Sequence, residues 1–188
     1  MLPYADSVRI EAITTRDALP VTELQAFDAS FTTTVVYDVV VRSSGLELVE
    51  RQLDLPLTKR YHLLQDLHDD RLPWDCLLLA REDSGITAVA ATSYSSWNKR
   101  QVLDELHVAP SHRRRGLART LVDHVRGIAR GNGARELWLE TQSVNLPAIH
   151  AYRRLAFSLT GIDTTFYAPP HEHEAAVFLS QPLLGQAS

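Results

Sequence analysis

Residues 108–118 read VAPSHRRRGLA and mark a change in the pattern of the chain. Residues 102–108 are typical of a strand, whereas residues 114–130 repeat their apolar side chains at helical spacing. The stretch therefore predicts a strand, a loop and a helix that begins at Arg-x-x-Gly-x-Ala. The first turn of a helix has unpaired backbone N–H groups and a positive dipole end, and small residues at Gly116 and Ala118 would let an anion reach them.

Three consecutive arginines, Arg113, Arg114 and Arg115, stand at the start of this helix. Cations at the positive end of a helix are unfavourable by roughly 0.3 kcal/mol or more each, and a bound polyanion would remove that conflict. A solvated basic surface is the alternative interpretation of the cluster. The loop lacks the Gly-Lys-Ser/Thr of a Walker loop and the three glycines of a dinucleotide fingerprint. We therefore predict an anion site of another kind.

The composition is that of a soluble globular protein, with 45% apolar and 22% charged residues in 188. One domain, residues 1–188, is the expectation for this length. The net charge of −4 argues against a general nucleic-acid binder. A single cysteine, Cys76, excludes an internal disulfide and a cysteine-based zinc site. No apolar run approaches a membrane span, and residues 1–10 do not resemble a signal peptide, so we expect a cytoplasmic protein that does not contact a membrane.

The order of patterns predicts an α/β fold. Strands are predicted at residues 8–13, 32–42, 46–53, 76–81, 86–97, 102–108, 136–142, 157–167 and 175–179, and helices at 20–30, 59–69, 114–130 and 146–155. Short turns make residues 76–108 an antiparallel meander, whereas strand–helix–strand over residues 102–142 makes a parallel, right-handed βαβ unit. We expect a mixed, mostly antiparallel twisted sheet of about six to seven strands, with this βαβ unit at its centre and helices on both faces.

A second motif follows the βαβ unit. Residues 140–152 read ETQSVNLPAIHAY, and Ala156 and Phe157 come shortly after. Together with the loop, this motif resembles the two cofactor motifs of the GNAT superfamily of N-acetyltransferases, Arg/Gln-x-x-Gly-x-Gly/Ala and Asn-x-x-Ala-x-x-x-Tyr-x-x-x-Gly-Phe. The resemblance covers about residues 77–157. The sequence departs from the family at Ala156, where glycine is usual.

The resemblance implies the GNAT fold and an acetyl-CoA-dependent N-acetyltransferase. It implies that the loop backbone holds the pyrophosphate, that the preceding strand lies along the pantetheine, and that Asn145 contacts the pantetheine arm while Tyr152 lies by the thioester sulfur. The cofactor-binding residues it predicts are Leu106, His107, Val108, Arg113, Arg114, Arg115, Gly116, Leu117, Ala118, Arg119, Asn145 and Tyr152. It divides the domain into an acceptor-binding part at 1–75, an acetyl-CoA core at 76–157 and C-terminal strands at 158–188.

Acetyl transfer to an amine needs a proton acceptor for the ammonium and a proton donor for the leaving thiolate. Tyr152 lies two helical turns after Asn145 on the same helix face, a spacing that by itself is more typical of a ring packed in the core. The resemblance to the family motif makes it the candidate acid. The candidate base is Glu140, at the position of a glutamate in the ribosomal-protein-type acetyltransferases, followed by Glu105 and then Asp104. Only one of the latter two is expected to face the cleft, because a strand alternates its faces. A water chain is the alternative to a specific base.

The histidines predict no metal site. His171 and His173 alternate on a loop after two prolines, but no third ligand is indicated. Cys76 lies in an apolar run and is expected to be a small core residue.

Several short motifs, in order, resemble streptothricin acetyltransferases, among them FDASFTTT at 27–34, VYDV at 36–39 and WNK at 97–99. That family acetylates an amine of the β-lysine part of a polycationic antibiotic. An acceptor of this kind would be held by acidic and aromatic side chains, and the predicted ones are Asp28, Tyr37, Asp38, Trp97, Asp104 and Asp163. The net negative charge would also help to gather a polycation.

The same features leave alternatives open. An acidic cleft would also suit a lysine or N-terminal amine of a protein or peptide. A sensor that binds acetyl-CoA without turnover is a third possibility. We expect a small cationic amine as the partner, no nucleic acid, and a monomer or homodimer.

Overall fold

The structure is a computed structural model, and it describes residues 8–183. Residues 1–7, which hold most of the segment predicted not to be a signal peptide, lie outside this range. Within it the chain divides into two compact units. The first contains residues 8–30, 60–137 and 183, and the second contains residues 31–59 and 138–182. The single domain and its three parts stay predictions.

The first unit contains the predicted antiparallel meander. Its elements are β1 (Arg9–Ile13), α1 (Val21–Ala26), α2 (Leu63–His68), β4 (Cys76–Glu82), β5 (Gly85–Ser95), β6 (Arg100–Val108) and α3 (Leu117–Gly131). The strands lie in the order β1-β4-β5-β6, and each neighbouring pair is antiparallel. Two-residue and four-residue turns join β4 to β5 and β5 to β6, which leaves no room for a parallel crossover.

Helices cover both faces of these strands, as predicted. Alternate residues of β4 and β5, such as Leu77 and Val89, are buried in one cluster with Leu24 of α1 and Leu67 of α2. The residues between them, such as Ala88, are buried as well, and α3 lies against β4, β5 and β6. Each fully buried leucine contributes roughly 2 kcal/mol by leaving water, so this two-sided core holds the end of β6 in place.

The second unit contains a hairpin and three sheet strands. The hairpin is β2 (Phe31–Arg42) and β3 (Gly45–Lys59), and the other elements are β7 (Glu136–Gln142), α4 (Leu146–Arg154), β8 (Ser158–Asp163) and β9 (Ala176–Pro182). The strands lie in the order β7-β9-β8, and β8 and β9 are antiparallel. The first two residues of β7 belong to the first unit, where β7 is the parallel neighbour of β6. The seven sheet strands and this one parallel pair confirm the predicted fold class.

Several element boundaries differ from the prediction, and α1 (Val21–Ala26) and α2 (Leu63–His68) are both shorter than predicted. β3 runs past Pro56 to Lys59, because the register is shifted there and the proline, which has no N–H, faces no ladder partner. β8 ends at Asp163, whose carboxylate accepts hydrogen bonds from the backbone and hydroxyl of Thr165 in a turn. α3 begins at Leu117 instead of Arg114. Among residues 8–183, no helix is long and apolar enough to cross a membrane.

Candidate active site

The loop before α3 presents a bare helix N-terminus. β6 ends at Val108, a 3-10 turn follows, and two residues with positive φ, Arg114 (67°) and Gly116 (89°), redirect the chain. Gly116 is the N-cap and makes no side-chain cap, and the first helical bond runs from Thr120 N to Gly116 O (3.0 Å). A Cβ at Gly116 would meet no atom within 4 Å, and the first turn holds no acidic residue. These features fit a pyrophosphate.

Two of the three arginines are engaged by the protein itself. Arg113 donates from Nε to the carbonyl of Val108 (3.0 Å) and also donates to the carbonyl of Ser30. Arg115 forms an ion pair with Glu82 (Nη2 to Oε1, 2.8 Å), whose side chain is only 4% exposed. Arg114 is exposed. Arg113 and Arg115 therefore stabilise the protein itself, and Arg114 is the arginine whose guanidinium best suits an anion.

A β-bulge overturns the expectation that only one of Asp104 and Glu105 faces the cleft side of β6. Ala91 of β5 pairs with Glu105, but Thr92 pairs with Leu103, so Asp104 is an extra residue in β6. Paired residues of antiparallel strands share a face, and Asp104 also contacts Ser93, two residues after Ala91. Both carboxylates therefore lie on the Ala91 face, the face that carries α1 and α2.

Asp104 is poised to hold a proton near neutral pH. Its Oδ1 accepts a hydrogen bond from Ser93 Oγ (3.1 Å), while its buried Oδ2 has no partner among residues 8–183. Burial raises the pKa of Asp104 to about 7, helped by the negative charges of Glu105 and Asp75. A carboxylate of this kind is suited to take a proton from an ammonium group.

Glu105 lies in a second polar contact on the same face. Its Oε2 is 2.5 Å from His107 Nε2, and the ring of Tyr61 lies 5.2 Å from the His107 ring. Burial, followed by the charge of Glu105, raises the pKa of Asp66 in α2. Asp66 was not predicted as a site residue, because only the packing of α2 brings it near β6.

The second motif forms the start of α4 in the second unit. Asn145 is the N-cap, and its Oδ1 accepts a hydrogen bond from Ala148 N (3.2 Å), so this residue has a structural role besides any cofactor contact. Tyr152 is buried, with its ring edge-on to Phe157 at 5.7 Å. Ala156 has φ of 69°, in the left-handed region. The departure from glycine at this position therefore costs about 1 kcal/mol but leaves the helix intact.

Glu140, on β7, has a partner that the sequence did not reveal. The hydroxyl of Tyr167 donates a hydrogen bond to Glu140 Oε1. Burial and the charge of Glu140 raise the pKa of Tyr167 well above its ordinary value, so the phenol keeps its proton.

The predicted acceptor residues have varied surroundings. In the first unit, Asp28 accepts a hydrogen bond from Ser30 N (2.9 Å), and Trp97 is 87% exposed.

In the second unit, Asp38 forms an ion pair with Arg51 (2.6 Å). Tyr37 is buried, and its hydroxyl lies 3.4 Å from His150 Nε2 and accepts from Arg153 (3.2 Å). Asp163 closes the turn described above. Among these acidic residues, Asp104 has a buried carboxylate oxygen that lacks a hydrogen-bond partner within residues 8–183.

The histidines after the two prolines have a protein partner. His171 Nδ1 and His173 Nε2 lie 3.3 and 4.0 Å from Glu174 Oε1, and Glu174 pairs with Lys59 (2.5 Å). Within residues 8–183, no group of three or more His, Cys, Asp or Glu side chains could hold a metal ion. Cys76 is buried, in agreement with the prediction.

Comparison with known proteins settles the family. The acetyltransferase (GNAT) family matches residues 46–157. The chain belongs to this family. Streptothricin acetyltransferase of Streptomyces lavendulae is 38% identical over 166 residues, which are 85% of this chain and 88% of that protein. The predicted membership is thus confirmed, and this GNAT protein is an acetyl-CoA-dependent N-acetyltransferase.

Solved structures agree. The crystal structure of nourseothricin acetyltransferase is 38% identical to this GNAT protein, with a TM-score of 0.80 over 94% of this chain and 98% of that one. A Bacillus anthracis str. Ames protein in complex with acetyl coenzyme A shares the fold, with a TM-score of 0.75 at 19% identity over 95% and 99% of the two chains.

Proposed function

We propose that this enzyme acetylates a primary amine of a small polycationic acceptor of the streptothricin class, at its β-lysine part, and so gives resistance to the antibiotic. The observation that carries the proposal is the 38% identity to the Streptomyces lavendulae streptothricin acetyltransferase, which extends over most of both chains. The nourseothricin acetyltransferase structure supports it over almost the full length.

The acidic face of β6 supports a cationic acceptor. Asp104 and Glu105 share that face, and the interaction of Asp66 with Glu105 places a third carboxyl near them. Carboxylates brought together by folding repel each other, and an ammonium group would relieve this repulsion. Burial of Asp104 Oδ2 without a donor favours a ligand that brings one.

We assign the acetyl-CoA contacts to the start of α3, the end of β6 and the start of α4. The backbone N–H groups of Leu117, Ala118 and Arg119 would hold the pyrophosphate, with Arg114 adding charge. The segment Leu106, His107 and Val108 would lie along the pantetheine, and Asn145 would contact the pantetheine arm. Acetyl-CoA supplies the acetyl group as a thioester.

The chain supplies the proton transfers. Glu140 takes a proton from the acceptor ammonium, with Glu105 and Asp104 as the alternative acceptors. The neutral amine nitrogen then forms its bond to the acetyl carbon as the carbon–sulfur bond breaks. The hydroxyl of Tyr152 gives its proton to the departing thiolate, which balances the reaction.

The decisive test is mass spectrometry of streptothricin after incubation with enzyme and acetyl-CoA, with thiol release followed in parallel. We expect a gain of one acetyl group on the β-lysine amine. Acetylation of lysine peptides or protein N-termini alone would favour the protein-amine alternative. Thiol release with none of a broad panel of amines would favour a sensor that only binds acetyl-CoA.

We place the reaction in the cytoplasm, because acetyl-CoA is available there. We propose a monomer or a homodimer, which sedimentation at several protein concentrations distinguishes.

A further inference from the structure

The segment between β8 and β9 is attached to the protein at its C-terminal end. Glu174 Oε2 is 2.5 Å from Lys59 Nζ, with Glu174 buried and Lys59 partly buried. Ala175 N donates to Ser143 Oγ (3.1 Å), and Ser143 N donates to the carbonyl of Ala175 (2.8 Å). The segment therefore has a fixed anchor within the second unit, and Tyr167 lies on it.

Aromatic packing fixes the ring of Tyr167 relative to β7. Phe166 packs edge-on against Tyr167 (5.1 Å) and against Phe178 (5.7 Å), and Phe178 stacks on Trp138 (5.3 Å). Trp138 is two residues before Glu140 and so lies on the same face of β7. This row of rings places the phenol where its hydroxyl meets the Glu140 carboxylate.

In the hydrogen bond between Tyr167 and Glu140, the phenol is the donor and the carboxylate is the acceptor. The raised pKa of Tyr167 means that the phenol stays protonated at neutral pH and acts as the donor. A donor to a carboxylate favours the ionised form of that carboxylate and fixes its rotamer. Tyr167 also lies outside residues 46–157, so it is not part of the stretch that the family shares.

We propose that Tyr167 is a positioning residue that holds Glu140 ionised and oriented to receive the proton of the acceptor amine. This rests on the proposed role of Glu140 as the base. Tyr167 itself gives up no proton in the reaction. The anchored β8–β9 segment is then the element that sets the basicity of the catalytic carboxylate.

A kinetic cycle tests the role in catalysis. Tyr167→Phe keeps the ring and removes the donor, so Glu140 should become easier to protonate. The acid limb of the kcat/KM profile should move to higher pH by roughly one unit. In a Glu140→Gln background the same change should have no further effect. Tyr94→Phe, which removes a phenol hydroxyl in the first unit, is the control and should leave the profile unchanged. Equal effects of Tyr167→Phe in both backgrounds would overturn the proposal.

A titration without turnover separates this inference from the proposed function. The carboxyl carbon of Glu140 is followed by NMR in enzyme labelled with ¹³C-glutamate and assigned by its loss in Glu140→Gln. Its midpoint should rise by roughly one unit in Tyr167→Phe. An unmoved midpoint overturns the positioning role. A moved midpoint with full activity of Glu140→Gln supports the contact and overturns Glu140 as the base. If Tyr167→Phe does not fold, Tyr167→Met, which also lacks a donor, is titrated instead, and an unmoved midpoint again overturns the proposal.

Discussion

Asp104 and Glu105 are consecutive residues of β6, yet both side chains lie on the same face of the strand. The bulge opposite Ala91 and Thr92 causes this, because it inserts one residue into β6. Two neighbouring carboxylates on a half-buried face cannot both ionise freely. Burial, with the help of Glu105, therefore keeps the pKa of Asp104 near 7.

Asp104→Asn should flatten the dependence of stability on pH. The folded state holds the Asp104 proton up to about pH 7, whereas an unfolded aspartate releases it near 3.8. Between these values the folded state binds more protons at Asp104, so the contribution of this residue to wild-type stability falls as pH rises from about 4 to 7. The total loss is on the order of 4 kcal/mol. Urea unfolding at several pH values should show a smaller loss in the variant.

The control for this experiment is Asp163→Asn. Hydrogen bonds from Thr165 lower the pKa of Asp163, so its titration in the folded state lies below pH 3.8. Its removal should leave the slope between pH 4 and 7 as in the wild type. An unchanged slope in Asp104→Asn would show that this carboxyl is not held protonated by the fold.

Gly116→Ala should weaken acetyl-CoA binding more than it weakens the fold. Gly116 has φ of 89°, so alanine there is strained by about 1 kcal/mol, although its Cβ has open space. That open space is where the pyrophosphate would approach the backbone. We expect the Kd for acetyl-CoA, measured by calorimetry, to rise roughly tenfold, the equivalent of one strong hydrogen bond.

Gly133→Ala is the matched control for the loop. Gly133 follows α3 with φ of 70°, and its Cβ would also meet open space. Both variants should lose similar free energy of unfolding, but only Gly116→Ala should lose affinity. Equal Kd values for the two variants would contradict the assignment of the loop as the cofactor site.

The loop shows what the sequence could and could not predict. Helical periodicity after residue 117 and small residues at the helix start pointed correctly to α3. Its first residue was placed three positions early, because arginines suit a helix and the positive φ of Arg114 and Gly116 leaves no periodic signal. The ion pair of Arg115 with Glu82 was also missed, since 33 positions and a strand pairing separate them.

The positions of Asp104 and Glu105 on β6 could also be predicted only in part from the sequence. The residue pattern predicted the strand, and the short turn before it predicted its partner and its antiparallel direction correctly. A bulge, however, depends on how two strands fit each other, so alternation within β6 alone could not reveal it. The contact between Tyr167 and Glu140 likewise arises from packing of the β8–β9 segment and not from any local motif.

Arg115→Ala should lower the stability of the fold, whereas Arg114→Ala should weaken acetyl-CoA binding. Arg115 is the closest cation to buried Glu82, and His112 Nε2 lies farther away at 3.7 Å, so loss of Arg115 leaves the carboxylate poorly compensated and should cost about 2 kcal/mol of stability. Adding Glu82→Gln should recover much of that loss in urea unfolding. Arg114→Ala should leave stability unchanged but weaken acetyl-CoA binding, with a smaller dependence of Kd on salt. A stable Arg115→Ala variant would mean that the ion pair contributes little.

Tyr152→Phe should separate catalysis from binding. The ring is buried edge-on against Phe157, and phenylalanine preserves that packing, so the fold should be retained. Removal of the hydroxyl takes away the proton donor for the thiolate and should lower kcat about 10²-fold. The Kd for acetyl-CoA should change little, because the hydroxyl acts mainly once the carbon–sulfur bond begins to break. An unaltered kcat would remove Tyr152 as the acid, whereas a large rise in Kd with equal kcat would make it a cofactor contact alone.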